Sequence, residues 1–227
     1  MQSGGAFSLS ETEAVYRAIR ERRDVRSGFL PDAVEEAVLL RLLRAAHCAP
    51  SVGLMQPARF IVVRSHETRS AVHQLFLEAN RAAAAAYHDE QQELYRSLRL
   101  EGLLQAPLHL CVVCDETSTQ GHGLGRHTMP QTSIYSTVCA IQNLWLAARA
   151  EGIGVGWVSI LDPAALKNLL HVPPEMELIA WLCLGYVEQF APLPDLERDG
   201  WEQRRPLASL LRSEFFDRPY PVTEEEL

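Results

Sequence analysis

The chain has 227 residues, 47% hydrophobic and 22% charged, which is globular composition and enough length to bury a sizeable core. A formal charge of −8 and a pI near 5.5 argue against broad nucleic-acid binding, which needs a cationic face to displace counterions. Five cysteines, an odd number in a long chain, argue against a disulfide framework, and neither a signal-peptide h-region nor a membrane span of about 20 apolar residues is visible, so a cytoplasmic protein with no membrane partner is expected.

In chain order, Ser10 and Glu13 make a capping-box pattern, and Ala14, Val15, Ala18 and Ile19 recur at helical spacing, which predicts a first helix ending near Glu21. Asp32 with Glu35 repeats the pattern ahead of a second amphipathic helix carrying Val38, Leu39, Leu42 and Leu43. Residues 50–57, P-S-V-G-L-M-Q-P, read as a loop, and 60–63 as a buried strand. A helix is expected over 67–87, and the mixed-charge segment 89–101 as a solvated helix or a lid. A second strand follows at 108–114, a Gly-rich loop at 121–130, and a long helix at 134–150. That helix is apolar nearly all round, which places it centrally or at a subunit interface, with Gly152 as its stop. A third strand is expected at 155–160, a short helix opened by Asp162-Pro163, and a fourth strand at 178–187, before a tail with five prolines from Ala191. The pattern indicates an α+β fold, a mixed or antiparallel sheet around a long helix. Its expected limits are 10–211, with a flexible N-terminus at 1–9 and a tail at 212–227.

The densest chemical group is Arg22-Arg23-Asp24-Val25-Arg26. Three guanidiniums this close repel one another unless an anion sits among them, and Arg suits bidentate phosphate contacts. Periodicity by itself favours a plainer reading, a solvated basic helix end beside the negative end of the helix dipole. Asp24 reads either as a surface ion-pair partner or as a carboxylate able to accept a proton or orient a ligand hydroxyl. In Gly154-Val155-Gly156-Trp157-Val158-Ser159 the glycines allow either a flat ligand or the long helix to approach the strand. Cys111 and Cys114 have CxxC spacing, but in a strand they face opposite sides, so packing outweighs metal or redox work and no metal site is expected. Gly121, Gly123 and Gly125 do not follow a strand and are not a dinucleotide fingerprint. Trp145, Trp157 and Trp181 read as core.

Taken together, these segments resemble the nitroreductase family of FMN enzymes: the arginine cluster, the A-P-S-V-G…Q-P loop (49–57), the G-I-G-V-G-W-V-S strand (153–159 with its preceding Gly152) and a late arginine, Arg204. The resemblance implies an α+β homodimer with FMN at the interface. Arg22, Arg23, Arg26 and Arg204 would hold the phosphate, and Pro50, Ser51 and Gly53 would touch the flavin and ribityl chain. Asp24, Val25, Gly156, Trp157, Val158 and Ser159 would complete the pocket. One branch resembles this chain from about Ser10 to Leu211 through long blocks such as Tyr-Ser-Thr-Val-Cys-Ala-Ile-Gln-Asn-Leu-Trp (135–145). Its members break reduced FMN apart with O2 to 5,6-dimethylbenzimidazole, the lower ligand of vitamin B12, and erythrose 4-phosphate. Ordinary family members usually have Ser after the paired arginines and Gly two residues after the strand Trp, whereas this chain has Asp24 and Ser159, the branch's catalytic pair. The resemblance also implies a lid over about 85–103 and a separate flavin reductase as electron source. Leu54 and Ala58 depart from the aromatic pair expected near Gly53. The competing expectations are an NAD(P)H-dependent nitro- or flavin reductase, and a flavin-binding protein without catalysis.

Overall fold

The computed structural model describes residues 5–226. Of the N-terminal stretch expected over 1–9, residues 1–4 lie outside the described residues. Helix α1 (Leu9–Glu21) is capped by Ser8, not Ser10: the Ser8 hydroxyl accepts from the Glu11 N–H (3.4 Å), and the Glu11 carboxylate accepts from the Ser8 N–H (2.9 Å). Two overlapping S-x-x-E patterns are present here, and the earlier one closes the box. Helix α2 (Glu36–His47) has Glu35 at its cap with no side-chain bond, so the Asp32 box does not form. Val34 is buried there, and its carbonyl accepts from Arg64 (3.2 Å), which also holds Glu36 (3.0 Å) and keeps the approach to the helix extended.

The sheet contains β1 (Ala58–Val63), β2 (Leu108–Asp115), β3 (Ile153–Val158) and β4 (Met176–Tyr186) in the order β1-β2-β4-β3, every pair antiparallel. Helix α5 (Thr132–Ala150) and α2 cover one face, where Leu39, Leu42, Leu144, Leu110, Val112 and Leu182 interlock. Helices α3 (His66–Ala84) and α6 (Pro163–Leu169) cover the other, with Val72, Phe76, Leu166, Cys111, Val113 and Trp181. Successive β2 residues point to opposite faces, and both faces are covered, so the strand reads as an unbroken apolar run. This alternation separates Cys111 from Cys114 as expected, and burial pushes the Cys111 thiol up to about 12.

Helix α5 buries one face and leaves Tyr135 and Val138 exposed on the other. Gly152, at φ 76°, ends it. Helix α1 is amphipathic yet buries no residue; Val15 and Ile19 are exposed. Helix α4 (Asp89–Ser97) occupies the segment expected as a solvated helix, but it is anchored. Tyr95 is buried, its hydroxyl donates to Asn80 (2.7 Å), and the Gln92 amide donates to the carbonyls of Ala84 (3.0 Å) and Tyr87 (2.8 Å) at the end of α3. Among the described residues no helix is long and apolar enough to cross a membrane.

The chain divides into two compact units between Pro192 and Leu193, earlier than the boundary near 211 expected from sequence. Just beyond β4, Val187 bridges back to Phe29 and the Glu188 N–H donates to the Gly28 carbonyl (3.2 Å); among the described residues the chain after that adds no strand to the sheet. In the second unit the Glu224 carboxylate accepts from the N–H groups of Leu207 (3.1 Å) and Ala208 (2.9 Å), Arg212 bridges to Pro219, and Arg218 lies over Phe215. Arg204 belongs to this unit, exposed and outside regular structure.

Candidate functional site

Helix α1 stops at Glu21, and Arg22 is extended (φ −60°, ψ 136°), so Arg22 and Arg26 do not share a helix face. What ends the helix is Arg23. Its Nη1 donates to the carbonyls of Arg20 (2.8 Å) and Arg22 (2.7 Å), satisfying last-turn acceptors, and its Nη2 donates to the Pro192 carbonyl.

The chain then joins the sheet. Asp24 forms a parallel bridge with Val155 on the free edge of β3, and the Val25 N–H donates to the Val155 carbonyl (3.0 Å). The Asp24 carboxylate is gripped from two sides. Oδ1 accepts from the Trp157 backbone N–H (2.8 Å), and Oδ2 accepts from Arg26 Nε (3.1 Å) and Nη2 (2.8 Å). Gly156 makes this approach possible. A Cβ there would stand 2.1 Å from the Val25 carbonyl oxygen, so what comes close to the strand is the chain's own arginine turn. The expectation of a flat ligand or the long helix against this glycine is replaced by that contact.

One residue of the site went unrecognised in the sequence. Trp145 of α5 donates its indole N–H to the Arg23 carbonyl (3.1 Å), carries the Arg22 guanidinium over its ring (4.8 Å to the centroid), and faces the Trp157 ring at 6.4 Å. Its spacing on α5 reads as core, and it is buried; the available signal was that a buried indole N–H needs an acceptor. Val158 points away, into the core with Leu166 and Trp181, so only its backbone can face a ligand on this side. Ser159 lies just past the end of β3, exposed, with no hydrogen bond among the described residues, and about 7 Å along the strand from Trp157.

The loop with Pro50, Ser51 and Gly53 is built elsewhere. The Val52 N–H donates to the Ser136 hydroxyl (3.2 Å), and the Gln56 N–H donates to the Ser51 hydroxyl (2.9 Å). Gly53, at φ 60°, meets the Gly-rich loop: a Cβ on Gly121 would lie 2.4 Å from the Gly53 carbonyl, and the Gln120 amide donates to the Leu54 carbonyl (2.7 Å). The glycines of 121–125 thus serve loop-on-loop packing. A small open pocket of about 70 Å³ lies beside this loop, lined by His47, Ser51, Gln56, Ala58, Phe60 and Ser136. Ser136 precedes Trp145 by nine residues on α5, which puts this loop and the arginine turn about 13 Å apart along the helix.

FMN fits the arginine turn. Arg23 Nε and Arg26 Nη1 are buried donors with no acceptor among the described residues, although the other two nitrogens of each guanidinium are hydrogen-bonded. Buried donors rarely stay unpaired, and a phosphate offers charged acceptors to such a pair. The lid expected over 85–103 is rooted beside this turn. Leu103 is fully buried, its N–H donates to the Glu101 carboxylate, and a Cβ on Gly102 would meet the Phe29 ring at 2.6 Å and the Arg26 carbonyl at 3.4 Å.

Residues 19–186 match the model of the nitroreductase family. A 5,6-dimethylbenzimidazole synthase of Rhodospirillum rubrum is 48% identical over 206 residues, covering 91% of this chain and 97% of that protein. One from Rhodobacter capsulatus is 46% identical, covering 88% and 96%. Among solved structures, an iodotyrosine deiodinase bound to FMN and 3-iodo-L-tyrosine superimposes with a TM-score of 0.66 at 22% identity, covering 78% of this chain and 92% of that one, which shows a shared fold.

Proposed function

The chain belongs to the nitroreductase family, and from that premise we propose that it fragments reduced FMN with O2, releasing 5,6-dimethylbenzimidazole and erythrose 4-phosphate. The observation that carries the reading is the Asp24 carboxylate, held against the β3 edge by the Trp157 N–H and Arg26, beside two buried guanidinium donors that lack acceptors. The names of the two synthases at 46–48% identity agree with it.

Reduced FMN, as substrate, supplies the electrons that O2 accepts. In this reading Arg22, Arg23 and Arg26 hold the phosphate and so immobilise the ribityl chain relative to the ring. Asp24 accepts a proton from a ribityl carbon or hydroxyl as that chain is oxidised, and Trp157 and Arg26 keep its oxygens aimed. The unpartnered Ser159 hydroxyl hydrogen-bonds the ring edge where oxygen chemistry occurs. The segment 85–103 closes over the flavin and excludes water. Pro50, Ser51 and Gly53, about 13 Å from the arginine turn along α5, act from the partner subunit of a homodimer. The exposed apolar stripes of α1 and α5 (Val15, Ile19, Tyr135, Val138) support that assembly. A separate cytoplasmic flavin reductase delivers reduced FMN.

A single turnover tests the reading. The protein is mixed anaerobically with chemically reduced FMN, air is admitted, and the products are analysed by liquid chromatography with mass detection. Dimethylbenzimidazole is expected. Intact oxidised FMN as the sole product overturns the reading, and bleaching of bound flavin by NADPH would then identify a nitro- or flavin reductase.

A further inference from the structure

We propose that Trp145 is the positioning residue of this site: its indole sets the place of Asp24 and of the first phosphate-binding arginine, an inference that rests on the FMN reading above. Three contacts converge on one side chain. The indole N–H holds the carbonyl of Arg23, the residue directly before Asp24 (3.1 Å). The ring face carries Arg22 (4.8 Å). The ring also packs near Trp157 (6.4 Å), whose backbone N–H holds the Asp24 carboxylate (2.8 Å).

Asp24 is thus fixed at two ends, its peptide by the indole N–H and its carboxylate by β3, and Trp145 touches both anchors. A tryptophan that only filled the core would need some acceptor for its N–H and some neighbours for its rings. It would not need those neighbours to be the three residues that flank and grip one carboxylate. The geometry also divides the arginines by role. Arg23 spends Nη1 and Nη2 on backbone carbonyls, and Arg26 spends Nε and Nη2 on Asp24. Arg22 is carried over the indole ring, with its guanidinium carbon 4.8 Å from the centroid, so the ring face bears on its direction. The N–H and the π-face therefore do separable work: the first governs Asp24, the second governs Arg22.

Two substitutions separate them. Trp145→Phe keeps a ring face and removes the N–H. FMN affinity is expected to stay within about twofold, while the single-turnover rate of benzimidazole formation falls up to about tenfold, the loss expected for one hydrogen bond. Trp145→Leu removes the face as well, and FMN affinity is expected to weaken by about three- to tenfold, the range of a cation–π contact. A residue with a merely structural role would instead move affinity and rate together, in step with the melting temperature.

The decisive measurement uses the native protein. In the 1H–15N spectrum, the Trp145 indole resonance, assigned by its loss in Trp145→Phe, is followed during titration with inorganic phosphate and with oxidised FMN. A shift in both titrations is expected, because Arg22 and the Arg23 carbonyl touch the ring. An unmoved indole resonance in FMN-saturated protein overturns the inference, as does a Trp145→Phe variant with parental rate and affinity. Failure of the native protein to bind FMN at all would instead strike the proposed function.

Discussion

Gly156→Ala is the most direct probe of how the site is built. The added Cβ would lie 2.1 Å from the Val25 carbonyl oxygen, whereas ordinary contacts begin near 3.4 Å. The obstacle is backbone, with no flexible end to swing away, so β3 and the arginine turn must part by roughly 1 Å. Two hydrogen bonds cross that gap: Val25 N–H to the Val155 carbonyl at 3.0 Å, and Trp157 N–H to Asp24 Oδ1 at 2.8 Å. A neutral bond is worth about 1 kcal/mol net, and one to a charged acceptor about 1.5–3 kcal/mol. Loss or severe weakening of both amounts to about 2–4 kcal/mol, a fall of roughly 5–15 °C in melting temperature for a chain of this size. Thermal unfolding and urea titration measure that fall, and calorimetric titration with FMN should show affinity reduced by about tenfold or more, because Arg22, Arg23 and Arg26 move with the turn. A variant that melts within 2 °C of the parent, by roughly the above scale under 1 kcal/mol, and binds FMN equally well would refute the close approach of turn and strand.

Asp24→Asn keeps an acceptor for the Trp157 N–H but removes the counter-charge of Arg26; FMN binding should tighten by up to about fivefold while benzimidazole formation collapses. Weaker FMN binding in that variant would count against Arg26 as a phosphate ligand. Ser159→Ala alters an exposed hydroxyl, so urea unfolding should change by less than about 0.5 kcal/mol while product yield drops by about tenfold or more; unchanged yield removes Ser159 from the mechanism. His109 is fully buried with its Nδ1 accepting from the Trp181 indole (3.1 Å), and burial, with the nearby Arg69 charge, pulls its pKa from 6.5 down to about 3. Between those pH values the unfolded chain binds a proton that the folded chain refuses. This group's contribution to stability is therefore whole above pH 6.5 and is lost as pH falls towards 3, at about 1.4 kcal/mol per pH unit. Urea unfolding between pH 7 and 5 should show this slope, reduced in His109→Gln; identical slopes in both proteins would contradict it.

Much of the fold is legible one segment at a time. The four strands, the long α5, the Gly152 stop and the Asp162 cap follow from periodicity and local chemistry, which act over a few residues. The arginine cluster and the Pro-Ser loop were also visible as segments, and the resemblance to a family supplied their expected use. What a linear reading lacks is any record of which distant backbones touch. It therefore left Gly156 facing a ligand or the long helix, although the turn at Val25 is what meets it, and it placed Trp145 in an anonymous core. Periodicity likewise ended the first helix near Glu21, but carried no sign that Arg23 folds back onto the carbonyls of its last turn. Propensity, capping and burial pattern act locally, so the elements and the chemical groups they carry can be read along the chain. The fastening of Asp24 to the free edge of β3, with an indole from α5 holding the preceding carbonyl, is visible in the folded chain alone, because those bonds join residues more than a hundred positions apart.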